Sequence, residues 1–216
     1  SKNAYRNLQA DIIGHPSYDL AQDGGLRISA LAKKLSKRED EFLSTLISKV
    51  PGVGASERAY VGFLNDLRFN VFLDLLDNAE MAGENIQKGS QVLKDLANSV
   101  NDFSGSGNIG KNDRLSASVP WANSVFFSPR KISATINMLN PVRYLDPRIS
   151  PTARKASMRN LAGMLGVTTT ILSLASAAGF DVEVNPNSAD FGTVKIGKTR
   201  FDVTGGNKTY ATLLSR

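Results

Sequence analysis

Apolar residues recur at three- and four-residue spacing along much of the chain, and this is the spacing of a helix face. Leu26, Ile28, Leu31 and Leu35 form a short set of this kind. Phe42, Leu43, Leu46, Ile47 and Val50 form a second, opened by the acidic turn Glu39-Asp40-Glu41 and closed by Pro51-Gly52. A longer third set holds Tyr60, Phe63, Leu64, Leu67, Val71, Phe72, Leu75 and Leu76. Ser56 is placed to cap it and Gly83 to end it. Ile86, Leu93, Leu96 and Val100 give a weaker fourth helix interrupted by Gly89, and the third and fourth predict an antiparallel pair. Aromatic residues at this spacing predict core, so the phenylalanines of the third set are expected inside. Residues 1–25 read as polar and irregular, broken by His15-Pro16 and Gly24-Gly25.

Two serine–proline pairs mark helix starts, because serine caps and proline suits the first helical position. Ser128-Pro129 opens a helix edged by Ile132, Ile136 and Leu139, which ends at Asn140-Pro141. Tyr144 to Pro151 reads as an extended, proline-studded connector, and Ser150-Pro151 opens the next helix. That helix leads into 21 uncharged residues, Asn160–Phe180. Such a run is long enough to span a bilayer. Its glycines, threonines and serines dilute the leucines, so the expectation is a buried central helix, with a membrane-inserting helix as the alternative. Leu161, Leu165, Ile171, Leu172 and Leu174 are the residues that would carry either role.

The clearest strand signal follows. Residues 190–203 predict a hairpin turning at Gly197-Lys198, where a leading glycine suits a type II′ turn. The register sets Ile196 against Thr199, Val194 against Phe201 and Gly192 against Val203 on one face. Lys195 against Arg200 and Thr193 against Asp202 occupy the other. Two cations directly opposite repel, which calls for an acidic neighbour.

Composition narrows the chemistry. Cysteine is absent and His15 is the single histidine, which removes thiol chemistry and multi-histidine metal sites. His15 precedes a proline and is expected in a turn. Gly105, Gly107 and Gly110 spell a phosphate-loop pattern, and Gly105 to Lys111 spell another. Both need a strand before and a helix after, and neither context is present. Asn112 stands where serine or threonine would hold magnesium. The segment is expected to be a linker, and no cofactor is expected.

The net charge of +6 is unevenly spread. Residues 111–159 hold 9 basic and 2 acidic residues, whereas residues 1–110 are net acidic with 12 and 14. Arg130, Lys131, Arg143, Arg148, Arg154, Lys155 and Arg159, with Trp121 for stacking, are the candidate contacts to nucleic acid or an acidic partner. A solvated face beside acidic helices of the same chain is the plainer reading.

Asn123-Ser-Val-Phe-Phe-Ser-Pro-Arg130, Asn140-Pro141, the helix from Arg154 to Gly179, Asp190-Phe-Gly, the Gly197 turn and Thr204-Gly-Gly206 together carry a resemblance. From about Ser56 to Arg216 the chain resembles the C-terminal part of very large phage and prophage polyvalent proteins. The resemblance implies a giant multidomain protein, carried in the virion and delivered with the genome, whose enzymatic domains lie elsewhere. No polymerase, methyltransferase, helicase or protease motif is present, so no catalytic residue carries over. Ser1 and the final TYATLLSR fit a piece of such a chain.

The fold class expected is mainly α, a multi-helix domain with one C-terminal β-hairpin at about residues 192–203. Residues 1–55 would be an irregular segment with short helices, 56–104 a helical hairpin, 105–128 a glycine-rich linker and aromatic loop. Residues 129–216 would hold the basic helix, the apolar helix and the hairpin. The function expected is a non-enzymatic anchoring module of an internal or tail-associated virion protein, delivered into the host envelope or cytoplasm; its parent chain can still be an enzyme. Its partners would be other virion proteins in a multi-copy assembly. The alternatives are a nucleic-acid-binding accessory domain that contacts DNA, and a membrane-inserting ejection segment.

Overall fold

The computed structural model describes residues 2–28, 53–106, 129–185, 187–188 and 190–204. The helix expected from Phe42 to Val50 lies outside them, as do the Gly107–Lys111 part of the glycine segment and Trp121. The fold is mainly α, with a small antiparallel sheet near its C-terminal end. Helices α1 (Lys2–Gly14), α2 (Tyr18–Asp23), α3 (Val53–Met81), α4 (Gln91–Phe103), α5 (Pro129–Leu139), α6 (Val142–Leu145) and α7 (Pro151–Ala177) precede the strands β1 (Asp181–Glu183), β2 (Thr193–Ile196) and β3 (Thr199–Asp202). The chain divides into two compact units, residues 1–157 and 158–216, so the division falls inside α7 rather than at a linker.

The first unit is built around α3 and α4. Its core joins Ile12 of α1, Tyr18 and Ala21 of α2, Phe69, Phe72, Leu76 and Ala79 of α3, and Leu93, Leu96, Ala97 and Val100 of α4. The predicted pairing of α3 with α4 is present. Gly83, with φ of +72°, follows the end of α3 as expected of a terminating glycine. Helix α3 begins at Val53, so Ser56 lies within it instead of capping it. The α4 cap is Ser90, whose Oγ accepts the Leu93 N–H at 3.3 Å. Of the α3 phenylalanines, Phe69 and Phe72 are buried, but Phe63 is exposed, beside exposed Tyr60 and Leu67 on the same helix face.

Residues 2–14 and 18–23 are helical where an irregular segment was expected. Tyr5, Leu8 and Ile12 stand three and four residues apart, a helix face hidden in a polar composition. Leu26 and Ile28, assigned to a helix by spacing, are irregular and fully packed into the core; the rest of that set lies outside the described residues. Helix α2 ends against α4 so closely that a Cβ on Gly24 would stand 2.5 Å from the Leu93 carbonyl oxygen. His15 sits in the turn between α1 and α2, where Nδ1 accepts the Ser17 N–H and the ring meets Phe69 edge-on at 5.3 Å.

A buried arginine closes one end of this unit. Arg68 of α3 donates from Nε to Ser104 Oγ at 2.8 Å and from a terminal nitrogen to Ser106 Oγ at 2.7 Å. It also reaches the Arg27 carbonyl, while the Asn101 side chain bonds the backbone on either side, at Gly25 and Arg27. Each buried polar group there has partners, which removes most of the desolvation cost.

The second unit carries the sheet, in order β1-β2-β3. The hairpin register is the predicted one throughout: Ile196 with Thr199, Lys195 with Arg200, Val194 with Phe201 and Thr193 with Asp202. Gly197 has φ of +63° and Lys198 has none of the left-handed character, as a type II′ turn requires. The acidic neighbour is present as well. Strand β1 places Asp181 beside Lys195, with Asp181 Oδ2 at 3.7 Å from Arg200 and 4.0 Å from Lys195. Asp190 adds a contact of 3.4 Å to Arg200 Nε.

Candidate functional site

Two features stand out: a polar cleft in the first unit, and the apolar length of α7. The cleft depends on how α7 starts. Ser150 Oγ accepts the Ala153 N–H at 3.2 Å, the bond expected of the Ser150-Pro151 signal. Two carboxylates from far upstream complete the cap. Asp95 of α4 accepts the Ser150 N–H at 2.9 Å, and Glu84 accepts the Thr152 N–H at 3.0 Å and both hydroxyls, of Ser150 and Thr152. Negative charge at a helix N-terminus is stabilising, because the first N–H groups are unpaired and the peptide dipoles align. Burial alone would raise the Glu84 carboxyl. The hydrogen bonds from Ser150 and Thr152, with the Arg154 charge, outweigh it and hold the group below its usual value. Ala153 is fully buried and Ser157 shares a 3.3 Å hydrogen bond with Ser99 of α4, so the first two turns of α7 are fixed to this unit.

Next to this cap lies a cleft of about 350 Å³, lined by Asp95, Asn98, Asp102, Asn137, Asn140, Arg143, Asp146 and Ile149. Asp102 is its most buried acid. It pairs with Arg143 and accepts from Asn137 Nδ2 at 3.0 Å. Burial raises the Asp102 carboxyl above its usual value, and the pull of Arg143 and Asn137 does not reverse this. The lining is mostly carboxylate and carboxamide, with Arg143 and Ile149 beside them, and no nucleophile–base pair is present among these side chains. Among the described residues no group of three or more His, Cys, Asp or Glu is placed to hold a metal ion.

The candidate basic residues do not form one patch. Arg143 turns inward onto Asp102. Arg148 forks onto Asp146 at 2.7 to 3.2 Å, which drops the Asp146 carboxyl to about 2. Arg154 lies near Glu84. Lys155 and Arg159 are exposed, one helical turn apart on α7. Arg130 and Lys131 lie in the first turn of α5, and their side chains are outside the description. The first two residues of the expected extended connector, Tyr144 and Leu145, instead end the one-turn helix α6, and the Tyr144 hydroxyl donates to the Met138 carbonyl. Residues before Gly105 form α4, not a strand, so the phosphate-loop pattern lacks its first structural requirement.

The apolar run departs from expectation most. Between residues 158 and 180 Leu172 alone is buried. Leu161 is half-buried, whereas Leu165, Ile171 and Leu174 are 54, 41 and 66% exposed. The buried central helix is therefore corrected: from residue 158 to 180 the helix and its end bury Leu172 alone, and the first unit's core draws on α7 only through Ala153. Periodicity reports which residues share a face, not whether anything covers that face, so the sequence pattern could not decide this. Glu84 and Asp95 were missed as well, for no local pattern links an acid to a helix start 66 or 55 residues later.

No family model matches the chain, and no curated protein or solved structure does so.

Proposed function

We propose that this chain is a non-enzymatic anchoring module of a large phage virion protein, one that holds its parent chain to other virion proteins in the capsid, portal or tail. The observation that carries the reading is α7: its first two turns are fixed to the first unit, and the uncharged length beyond them is not enclosed by a core. A contiguous exposed apolar surface marks a contact site, because leaving it in water costs about 25 cal/mol per Å². The phage setting comes from the sequence resemblance alone. A nucleic-acid-binding role has less behind it, since Arg143 and Arg148 pair with carboxylates of their own chain and Arg154 lies near Glu84.

The test is a photo-crosslinking residue at Val167 or Leu174 of the parent chain in assembled particles. Illumination is expected to join the chain to another virion protein. Purified particles that lack the chain, or that hold it without any crosslink, would overturn the proposal.

A further inference from the structure

We infer that residues 160–180 of this chain enter a lipid bilayer, so that the anchoring role proposed above extends from protein partners to a membrane. Four observations point to lipid as the occupant. The first is distribution around the helix. Leu161, Met164, Thr168, Leu172 and Ala175 share the packed face of α7, yet Val167, Ile171 and Leu174 form a second apolar stripe, 61, 41 and 66% exposed. Met158 and Leu165 lie exposed on the other flank. A protein partner covers one stripe, whereas acyl chains can meet the apolar residues on both flanks of the packed face, with Gly163, Gly166, Thr169 and Ser173 on the remaining side. A helix lying flat in the headgroup layer would need a charged face, and residues 160–180 hold no charge.

The second is length. The 18 helical residues from 160 to 177 rise about 27 Å, close to the roughly 30 Å of bilayer hydrocarbon. This helix passes the length and composition test for crossing a membrane. The third concerns the hydroxyls that argued against insertion. Thr170 Oγ1 donates to the Gly166 carbonyl at 2.8 Å, the back-bond by which a hydroxyl is satisfied inside its own helix when no water is present. The fourth is the collar. Exposed Lys155 and Arg159 stand at the start of the uncharged run, at the level of anionic headgroups, and the run closes at Asp181.

Flotation of the whole 216-residue chain decides the matter. Vesicles of phosphatidylcholine alone, and of phosphatidylcholine with phosphatidylglycerol, are mixed with the protein and spun up a density gradient. The chain is expected to float with both, and to stay bound in about 1 M salt, where surface charge is screened. Anionic lipid should tighten binding at low salt on the order of tenfold. The double variant Leu165→Glu/Ile171→Lys changes two exposed positions; it should keep the wild-type circular dichroism and lose flotation. Lys155→Ser/Arg159→Ser should float but lose the preference for anionic lipid. A wild-type chain that stays at the bottom of the gradient with both vesicles overturns the inference, and so does a charged double variant that floats as well as wild type. The two proposals separate: crosslinks within particles without flotation leave the anchor and remove the membrane, whereas flotation by a chain absent from particles does the reverse.

Discussion

The two units of the chain invest their apolar residues in opposite ways. In the first, α1 to α4 and the start of α7 contribute to one core, and Phe72, Leu93 and Leu96 are fully enclosed. In the second, Leu172 and Val194 are the buried hydrophobic residues among those described, while Leu165, Val167, Leu174, Val184, Ile196 and Phe201 are exposed. The described part of the second unit therefore gains little from burial against its ordering entropy. Its described order rests on the backbone hydrogen bonds of α7 and of the three-stranded sheet. The difference therefore separates an enclosed core from a described segment that leaves most of its apolar residues exposed.

The sharpest way to break that contrast is to truncate one residue in each unit. Phe72→Ala should destabilise the chain by about 3–5 kcal/mol in urea unfolding, as large-to-small changes in sealed cores do. Leu174→Ala should change it by less than about 0.5 kcal/mol, because the side chain is already in solvent. Similar losses from both would mean that the two units share one core. Next in size is Gly24→Ala, where the new methyl meets the Leu93 carbonyl, a backbone atom that cannot swing aside. Overpacking of this kind costs about 1–3 kcal/mol, read as a lower unfolding midpoint. A neutral outcome would show that α2 is only loosely docked on α4.

The start of α7 gives a smaller effect with a pH signature. Glu84→Gln should cost about 1 kcal/mol near neutrality by removing charge from the helix N-terminus. Because the folded Glu84 carboxyl lies below its unfolded value, its contribution is complete above the ordinary glutamate range and is lost as pH falls through the lowered value. Asp102 runs the other way. Its folded value is raised, so the native state keeps the proton longer, and stability falls as pH rises from the ordinary aspartate range through the raised value. Midpoints measured against pH should lose the first slope in Glu84→Gln and the second in Asp102→Asn. The smallest effect is expected at the sheet, where Asp181→Asn removes exposed ion pairs to Lys195 and Arg200. That change should cost at most about 0.5 kcal/mol and vanish in high salt. A larger, salt-resistant loss would mean that these ion pairs hold the sheet together more firmly than their exposure implies.

How legible the chain was depended on the range of the interaction concerned. The β2–β3 hairpin rests on neighbours in sequence, with Gly197 for the turn and alternation for the faces, and every cross-strand pair could be read. The need for an acid opposite Lys195 and Arg200 was readable as well, though not its source, because a three-residue strand such as β1 carries too little pattern. Helix α1 was hidden by its polar composition even though Tyr5, Leu8 and Ile12 keep the helical period. Contacts made by single side chains across long separations were illegible: Arg68 on Ser104 and Ser106, Asp102 on Arg143, Glu84 on Thr152. For α7 the pattern showed a helix and left its surroundings open, and that is the point on which the functional reading turns.

The way α7 is rooted also has a mechanical meaning. The helix is a lever of about 40 Å, gripped at one end and loaded anywhere along the rest. Tension on its far part is carried back to Ser150 and Thr152, and from there into α4 through Asp95 and into the α3–α4 turn through Glu84. One member of that load path, Glu84, is an acid whose lowered value marks a grip that favours the ionised form. A pull that the joint withstands at neutral pH should release the lever in acid, with the scaffold behind it still folded.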